Sequence, residues 1–525
     1  MSENKFKNKL NNFFKNPYNL ILIGILLFAF LIRLYYFFIT KNQPIWWDEG
    51  DYLNMGRFWA DGIPEWRIDP LRPLLLPFLL SILYRFGANE TFIRILMMLI
   101  PVIGVFLLYL IGKEMYDKKV GLIAAFILAV FWPYLFYSNR ILTDIPMLFL
   151  WLSTVFLFWK GYVKNKNKKY IWLIGILATL TFLMKFTGIL VSFTIIIYLL
   201  LTERLKILKN KSLLIICIVA ILSSLPYFIY AYFKFGNPFR FYVEAVGERY
   251  VFDLTFLQIS RDYIKFLFPS MSIAFLILFL IGLLTFINLI LGFDLFLKGK
   301  ENKLNSDFFV LLWMIIPFLG MIRLGHAGLI EERLNFMLYM PIFLIAGKGV
   351  SFFYNVINKI MNNYKDNMKI YSKIIAFILI FIVLIFGAYN NIVHADQIIK
   401  AKKDSFIQVK EAGIYIKERT LKEDVILSTQ TQAELQYHSQ RTVVGSGSTK
   451  EEMYNLIKEF RPKYVVVSIF LPQALNDPDR EKFFIPAQNP DLFTPVLAFE
   501  PFLDQQRNIP ILIVYEVNQE QINNI

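Results

Sequence analysis

The chain has 525 residues, 57% hydrophobic and 17% aromatic, and a formal net charge of +15. Soluble globular chains are usually less than about half apolar, and a mean hydropathy of +0.51 excludes that class. The positive charge suits the basic cytoplasmic loops of a membrane protein, so no nucleic-acid partner is expected. The single cysteine, Cys217, excludes a disulfide framework, and His326, His394 and His438 are too scattered for metal-ligand spacing.

Apolar runs of about twenty residues, long enough to span a bilayer as helices, recur along the chain. The first, 18–40, follows Lys5, Lys7, Lys9 and Lys15, and is too long and too well flanked for a cleaved signal peptide. Ten more are expected near 92–112, 119–137, 143–162, 169–185, 187–203, 212–233, 270–295, 307–325, 334–350 and 370–390. Basic clusters fall in alternate loops: Lys113, Lys118 and Lys119; Lys160, Lys164, Lys166, Lys168 and Lys169; Arg204, Lys206, Lys209 and Lys211; Lys298, Lys300 and Lys303; Lys359, Lys365 and Lys369. Loops of this parity are cytoplasmic by the positive-inside rule. This predicts a multi-pass protein of the cell membrane with residues 1–17 inside, a transmembrane domain over 18–390, and an extracytoplasmic domain over 391–525.

The first outer loop, 41–91, opens with PIWWDEGDYL. Tyr52, Met55, Phe58 and Trp59 recur at helical spacing over Gly50–Asp61, and LLLPFLLSILY (Leu74–Tyr84) is apolar but too short to span. Both suit helices lying in the membrane interface. The tail after 391 is polar, with β-branched runs at Val425–Ser428, Tyr464–Ile469 and Ile511–Val514. Helical patterns over Phe406–Arg419 and Lys450–Phe460 alternate with them, which predicts a small α/β domain.

The candidate site residues all map to the outer side of this topology. Asp48 and Glu49 open the first outer loop, and Asp69, Arg72 and Pro73 precede its second helix. Arg140 and Asp144, in SNRILTDIPM, sit at the second outer turn, and Lys185, in LMKFTG, ends the fifth span. Arg323, Glu331, Glu332 and Arg333 surround the fifth outer loop. Each has a plain structural alternative: Asp48 and Glu49 as helix caps, Trp46 and Trp47 as interface aromatics, Arg72 and Lys185 snorkelling to headgroups, and Arg140 pairing with Asp144. Glu434, Tyr437, His438 and Arg441 read as a solvated face. Ionisable groups gathered at one membrane edge nevertheless suit transfer of a sugar from a lipid phosphate. Cations hold the phosphate and the charge that grows on it, and a carboxylate takes the proton of an acceptor hydroxyl. A single displacement then inverts the anomeric centre.

These segments resemble GT-C-fold glycosyltransferases of the protein O-mannosyltransferase and aminoarabinose-transferase type, which use polyprenyl-phosphate sugars. WWDEGDY is similar to that group's acidic motif in the first outer loop. DPLRPLLLPFLLSILYRFG resembles its interfacial basic–Pro–Pro–Leu segment, with Leu74 in place of the second proline. SNRILTDIPMLF, LATLTFLMKFTGIL and EERLNFMLYMPIFLIAGKG resemble three further segments, the last with Leu334 and Met340 replacing the usual Tyr and Pro. The resemblance covers roughly 18–350. It implies Asp48 as the base, Glu49 as its acceptor-side neighbour, Arg72, Lys185, Arg140 and Arg333 on the donor phosphate, and Asp144 orienting Arg140 or the acceptor. It implies a dolichyl-type carrier with mannose as the first sugar to test, and a protein, glycolipid or glycan acceptor. No cofactor is expected, and a divalent metal is not expected to be required. WWDEG also resembles the WWDYG of oligosaccharyltransferases, but that motif belongs to a soluble domain after the last span, whereas WWDEG follows the first. A transporter and a non-catalytic lipid-carrier-binding protein are the alternative readings; the transporter predicts mid-span charges and repeat symmetry, which the sequence lacks.

Overall fold

The computed structural model describes residues 14–62, 64–164, 168–247, 256–292, 304–324, 331–364, 369–470, 480–499 and 511–524. Lys5, Lys7, Lys9, Lys166, Lys298, Lys300, Lys303, Lys365 and His326 lie outside the described residues, as does the Arg323 side chain.

Helix α1 (Pro17–Thr40) begins where the Asn16 side chain accepts from the Tyr18 amide, with Pro17 in its first turn, a favoured start because proline lacks the N–H that would be unpaired there. The segment 41–91 folds into α2 (Trp47–Asp61) and α3 (Leu75–Arg85), packed on each other. Next come α4 (Glu90–Met115), α5 (Lys118–Val130), the short α6 (Trp132–Phe136), α7 (Asp144–Leu157), α8 (Lys168–Met184), α9 (Leu190–Glu203) and α10 (Lys211–Phe235). They are followed by α11 (Ile273–Leu284), α12 (Asn305–Leu324), α13 (Phe336–Tyr364) and α14 (Lys369–Lys402).

Among the described residues, eight helices are long and apolar enough to cross a membrane, or nine if Lys118–Val130 and Trp132–Asn139, bent by 56°, form one span. The expected spans at 169–185 and 270–295 contain the shorter apolar helices Tyr170–Met184 and Ile273–Leu284, so the expected eleven spans are not confirmed. Hydropathy counts apolar residues and does not see where a helix stops. Here α8 ends at Met184, before Lys185, whose backbone is extended, and α11 is capped at Thr285.

Close packing of the bundle depends on small residues, as is usual between membrane helices. A Cβ on Gly112 of α4 would lie 2.6 Å from the Gly121 Cα of α5, so these backbones can meet only as glycines. The outer faces of α10 and α14 stay apolar and exposed, with Ile229 and Phe233 on one and Phe377, Phe381 and Phe386 on the other, as lipid-facing surfaces require.

The last long helix continues to Lys402, so the boundary expected at 390–391 falls inside a helix. The apolar stripe ends there, but the polar continuation keeps helical order, aided by an i,i+4 pair between Asp396 and Lys400. Beyond it lie α15 (Ile407–Arg419), β1 (Val425–Ser428), α16 (Gln432–Ser439), β2 (Thr442–Gly445), α17 (Lys450–Phe460), β3 (Tyr464–Ser468), β4 (Phe493–Phe499) and β5 (Leu512–Val517). The sheet order is β2-β1-β3-β5-β4, with β1 parallel to β2 and β3, and β5 antiparallel to β3 and β4. Val409, Ala412 and Ile416 of α15 pack on one face through Ile426, Val466 and Val514. Met453 and Ile457 of α17 pack on the other through Leu427, Val465 and Tyr515. The alternation of inward residues along β3 and β5 thus feeds two cores.

Candidate active site

The first turn of α2 carries two adjacent carboxylates. Successive helical residues point about 100° apart, and Asp48 and Glu49 enter different surroundings. Asp48 accepts from Arg72 (Nη1–Oδ1, 2.8 Å) and from Arg333 (Nη1–Oδ2, 2.7 Å), and its side chain is 25% exposed. The other arm of Arg72 reaches Asp51 one turn along α2 (Nη2–Oδ2, 2.8 Å). Arg333 also lies 3.9 Å from Asp144 Oδ2 and bonds Glu331, and Asp144 bonds the Lys185 ammonium. Asp51, Arg72, Asp48, Arg333, Asp144 and Lys185 therefore form one ladder of alternating charge. It is assembled from the segment 41–91, the start of α7, the end of α8 and the turn before α13.

Local structure aims each member. Asp69 accepts from the Leu71 amide, shaping the turn that presents Arg72. Asp144 opens α7, where a carboxylate favours the positive helix end. Lys185 is the extended residue between α8 and a 3₁₀ turn. Burial would raise the Asp48 carboxyl, but Arg72 and Arg333 outweigh it and hold the group below its ordinary range. Burial pushes Asp51 up to about 6 against the pull of Arg72, with Asp48 adding to the rise. Asp48 and Asp51 in turn hold Arg72 above its ordinary range despite its burial.

Glu49 is fully buried. It accepts from Arg140 (2.9 Å) and the Ile141 (2.8 Å) and Trp46 (2.9 Å) amides, with Arg94 at 3.6 Å. Arg140 also donates to the Pro44 carbonyl (3.1 Å) and lies 3.6 Å from the centre of the Trp46 ring. Three sequence expectations change here. Glu49 is a buried clamp beneath the loop instead of an acceptor-side neighbour. Arg140 faces Glu49 and Trp46 and is outside the charged ladder, because its extended backbone turns the side chain under α2. Asp144 pairs with Lys185 and not with Arg140. Trp46 serves as the stacking surface of Arg140, while Trp47 is the exposed one.

Arg94 was not among the sequence candidates. It is fully buried and donates to Glu90 (2.8 Å), the Asn139 carbonyl (2.9 Å) and the Gln43 carbonyl (3.3 Å). A lone arginine inside the apolar run FIRILMM was the available signal, since such a charge needs partners.

The cluster expected as a solvated face is also buried. Helix α16 packs on α2: Asn54 donates to the Ala433 carbonyl (2.8 Å), Gln436 to the Glu65 carbonyl (2.7 Å), and Tyr437 to Glu90 (3.0 Å). A Cβ on Gly50 would lie 2.8 Å from the Ala433 carbonyl carbon, so glycine permits the contact. Glu434 is buried with one oxygen unpartnered, and burial, with Asp51 and Asp48 nearby, pushes its carboxyl up to about 8. Burial, with Lys410 and Arg94 facing it, pushes His438 down to about 3. Arg441 is spent on the Lys417 and Thr420 carbonyls. A short helix seen alone looks exposed; only docking on the distant loop hides it.

Among the described residues, no three acidic, histidine or cysteine side chains converge as a metal site. Asp48, Glu49, Asp51 and Asp144 are each engaged by cations or amides.

Solved structures share this architecture. The Archaeoglobus fulgidus oligosaccharyltransferase, tethered with an acceptor peptide, matches at TM-score 0.57 with 14% identity, over 91% of this chain and 73% of its own. The archaeal oligosaccharyltransferase AglB from the same organism, in complex with an inhibitory peptide and a dolichol-phosphate, matches at 0.53 and 14%, over 95% and 77%. ArnT from Cupriavidus metallidurans, bound to undecaprenyl phosphate, matches at 0.57 and 12%, over 94% and 97%. At these identities the likeness shows the fold. No curated protein matches the chain. Residues 71–230 match the family described as dolichyl-phosphate-mannose-protein mannosyltransferase, and the chain is a multi-pass membrane protein with the GT-C fold and a C-terminal α/β domain.

Proposed function

We propose that the protein transfers a monosaccharide from a polyprenyl-phosphate carrier to an acceptor hydroxyl on the extracytoplasmic face, by one inverting displacement. The observation that carries this reading is the ladder in which Asp48 is gripped by two arginines while Lys185 stands beside the next carboxylate. Arg72, Arg333 and Lys185 hold the carrier phosphate, the arginines bidentately and the lysine as a point charge. The acceptor oxygen attacks the anomeric carbon and gives its proton to Asp48. The sugar–phosphate C–O bond breaks with its electron pair kept by the phosphate, where the same cations stabilise the charge.

Asp48 held low by its arginines is a weak base. A phosphate that draws those guanidinium groups toward itself lifts the carboxyl back toward its ordinary range, so proton acceptance is coupled to donor binding. The basic clusters on alternate loops support an inside N-terminus. Mannose is the first donor to test, from the family match of residues 71–230. No metal takes part in this scheme, so EDTA leaves turnover unchanged; loss restored by Mg²⁺ or Mn²⁺ overturns that part.

The test uses purified protein in lipid nanodiscs with labelled polyprenyl-phosphate monosaccharides, following sugar release or transfer beside Asp48→Asn. Turnover by wild type alone is expected. Tight binding of a donor with no turnover would leave a carrier-binding protein, and neither binding nor turnover a transporter.

A further inference from the structure

A second concavity lies beside the charged ladder, across the turn Glu332–Asn335. It is an open concavity of about 410 Å³ whose lining includes Trp132, Lys265, Glu332 and the α14 residues Asn390, Asn391 and His394, within the range of small-molecule sites. Successive side chains of a 3₁₀ turn point about 120° apart. Arg333 reaches Asp48 while its neighbour Glu332 lines the cavity, so the two sites share one turn.

The walls are fixed by hydrogen bonds. The Trp132 amide donates to Asn391 Oδ1 (3.1 Å) and its indole N–H to the Ser270 carbonyl (2.9 Å), while the Asn391 amide nitrogen donates to the Gly387 carbonyl (3.0 Å). Other polar groups remain unspent. Ser272 Oγ is buried with no partner. Among the described residues, Glu332 forms no ion pair and the Asn390 side chain no hydrogen bond. The cavity begins where the lipid-facing stripe of α14 stops: Phe381, Phe386 and Tyr389 are exposed just below Asn390. That places the opening at the level of the membrane interface.

We propose that this cavity binds a saccharide and, resting on the glycosyltransferase reading, that it is the acceptor subsite, so the acceptor hydroxyl belongs to a sugar. Sugar hydroxyls donate and accept, matching a carboxylate that accepts and an amide and a hydroxyl that do both. The Trp132 and His394 rings, packed edge to face with centroids 4.6 Å apart, supply a ring-lined wall for C–H groups. Lys265 and Glu332 put both signs of charge on the wall, which suits neutral hydroxyls better than a lone anion, and an aliphatic tail would leave the buried Ser272 hydroxyl unpaired. The cavity and the Arg333–Asp48 pair flank the same turn, Glu332–Asn335.

The test is saturation-transfer NMR on the protein in nanodiscs with methyl glycosides of mannose, glucose, galactose and N-acetylglucosamine, with a serine- and threonine-bearing peptide as the comparison. Glu332→Gln and Asn390→Leu lie outside the ladder. At least one glycoside should bind, and each variant should weaken it by about tenfold, the worth of one hydrogen bond to a charged or buried group. Glycoside binding unchanged in both variants, or binding by the peptide alone, overturns the proposal. Carrier-phosphate binding and donor hydrolysis, measured on the same samples, should be unchanged in both variants; a rise in donor KM would assign the cavity to the carrier and overturn it. Binding is read without turnover, so loss of the cavity proposal and loss of the transferase reading give different results.

Discussion

Asp48 and Glu49 are neighbours in sequence with opposite expected responses to the same change. Asp48→Asn keeps the side chain's shape and removes its basicity. Arg72 keeps Asp51 at 2.8 Å, and Arg333 keeps Glu331 and Asp144, so both arginines stay paired and the fold is expected to survive. Turnover should fall by about 10²- to 10⁴-fold, the usual worth of a positioned proton acceptor. Glu49→Gln instead weakens a fully buried carboxylate that answers Arg140 and Arg94. Breaking a buried ion pair leaves an uncompensated charge, at about 3–5 kcal/mol, so the yield of folded protein and its melting temperature should drop. The assay is thermal melting in nanodiscs beside initial rates at saturating donor. Asp48→Asn with more than about a tenth of wild-type turnover, or Glu49→Gln that melts like wild type, would refute the division of roles.

Turnover should have an acid limb near pH 6, where Asp51 takes a proton and releases its arm of Arg72; Asp51→Asn should remove that limb in a pH–rate profile. Gly50→Ala should loosen the C-terminal domain, because its Cβ would meet Ala433 at 2.8–2.9 Å, and hydrogen exchange should rise across Gln432–Ser439 while the spans stay protected. Glu434 keeps a proton in the folded state that the unfolded chain releases, its carboxyl being pushed from 4.5 to about 8 by burial. Melting temperature should therefore fall as pH rises from about 6.5 to about 8, a window above the ordinary His438 range, and Glu434→Gln should flatten that slope.

The sequence by itself determined that the chain crosses a membrane many times and that a polar α/β unit follows. Hydropathy and local propensity act over about twenty residues or fewer, and these features are written at that range. Helix Lys450–Phe460 and strand Val425–Ser428 appear where their patterns put them. Strands Thr442–Gly445 and Phe493–Phe499 were not legible, one being short and the other carrying Pro495 and a register shift. Tertiary structure alone decided which charge answers which. Arg72, Arg333 and Lys185 join Asp48 and Asp144, while Arg140 and Arg94 are spent on Glu49. Those partners are far apart in the chain, and Coulomb attraction selects by distance and burial in space, which spacing in sequence does not encode. The docking of α16 on α2, which turns a solvated-looking helix into a wall beside the acidic pair, was decided in the same way.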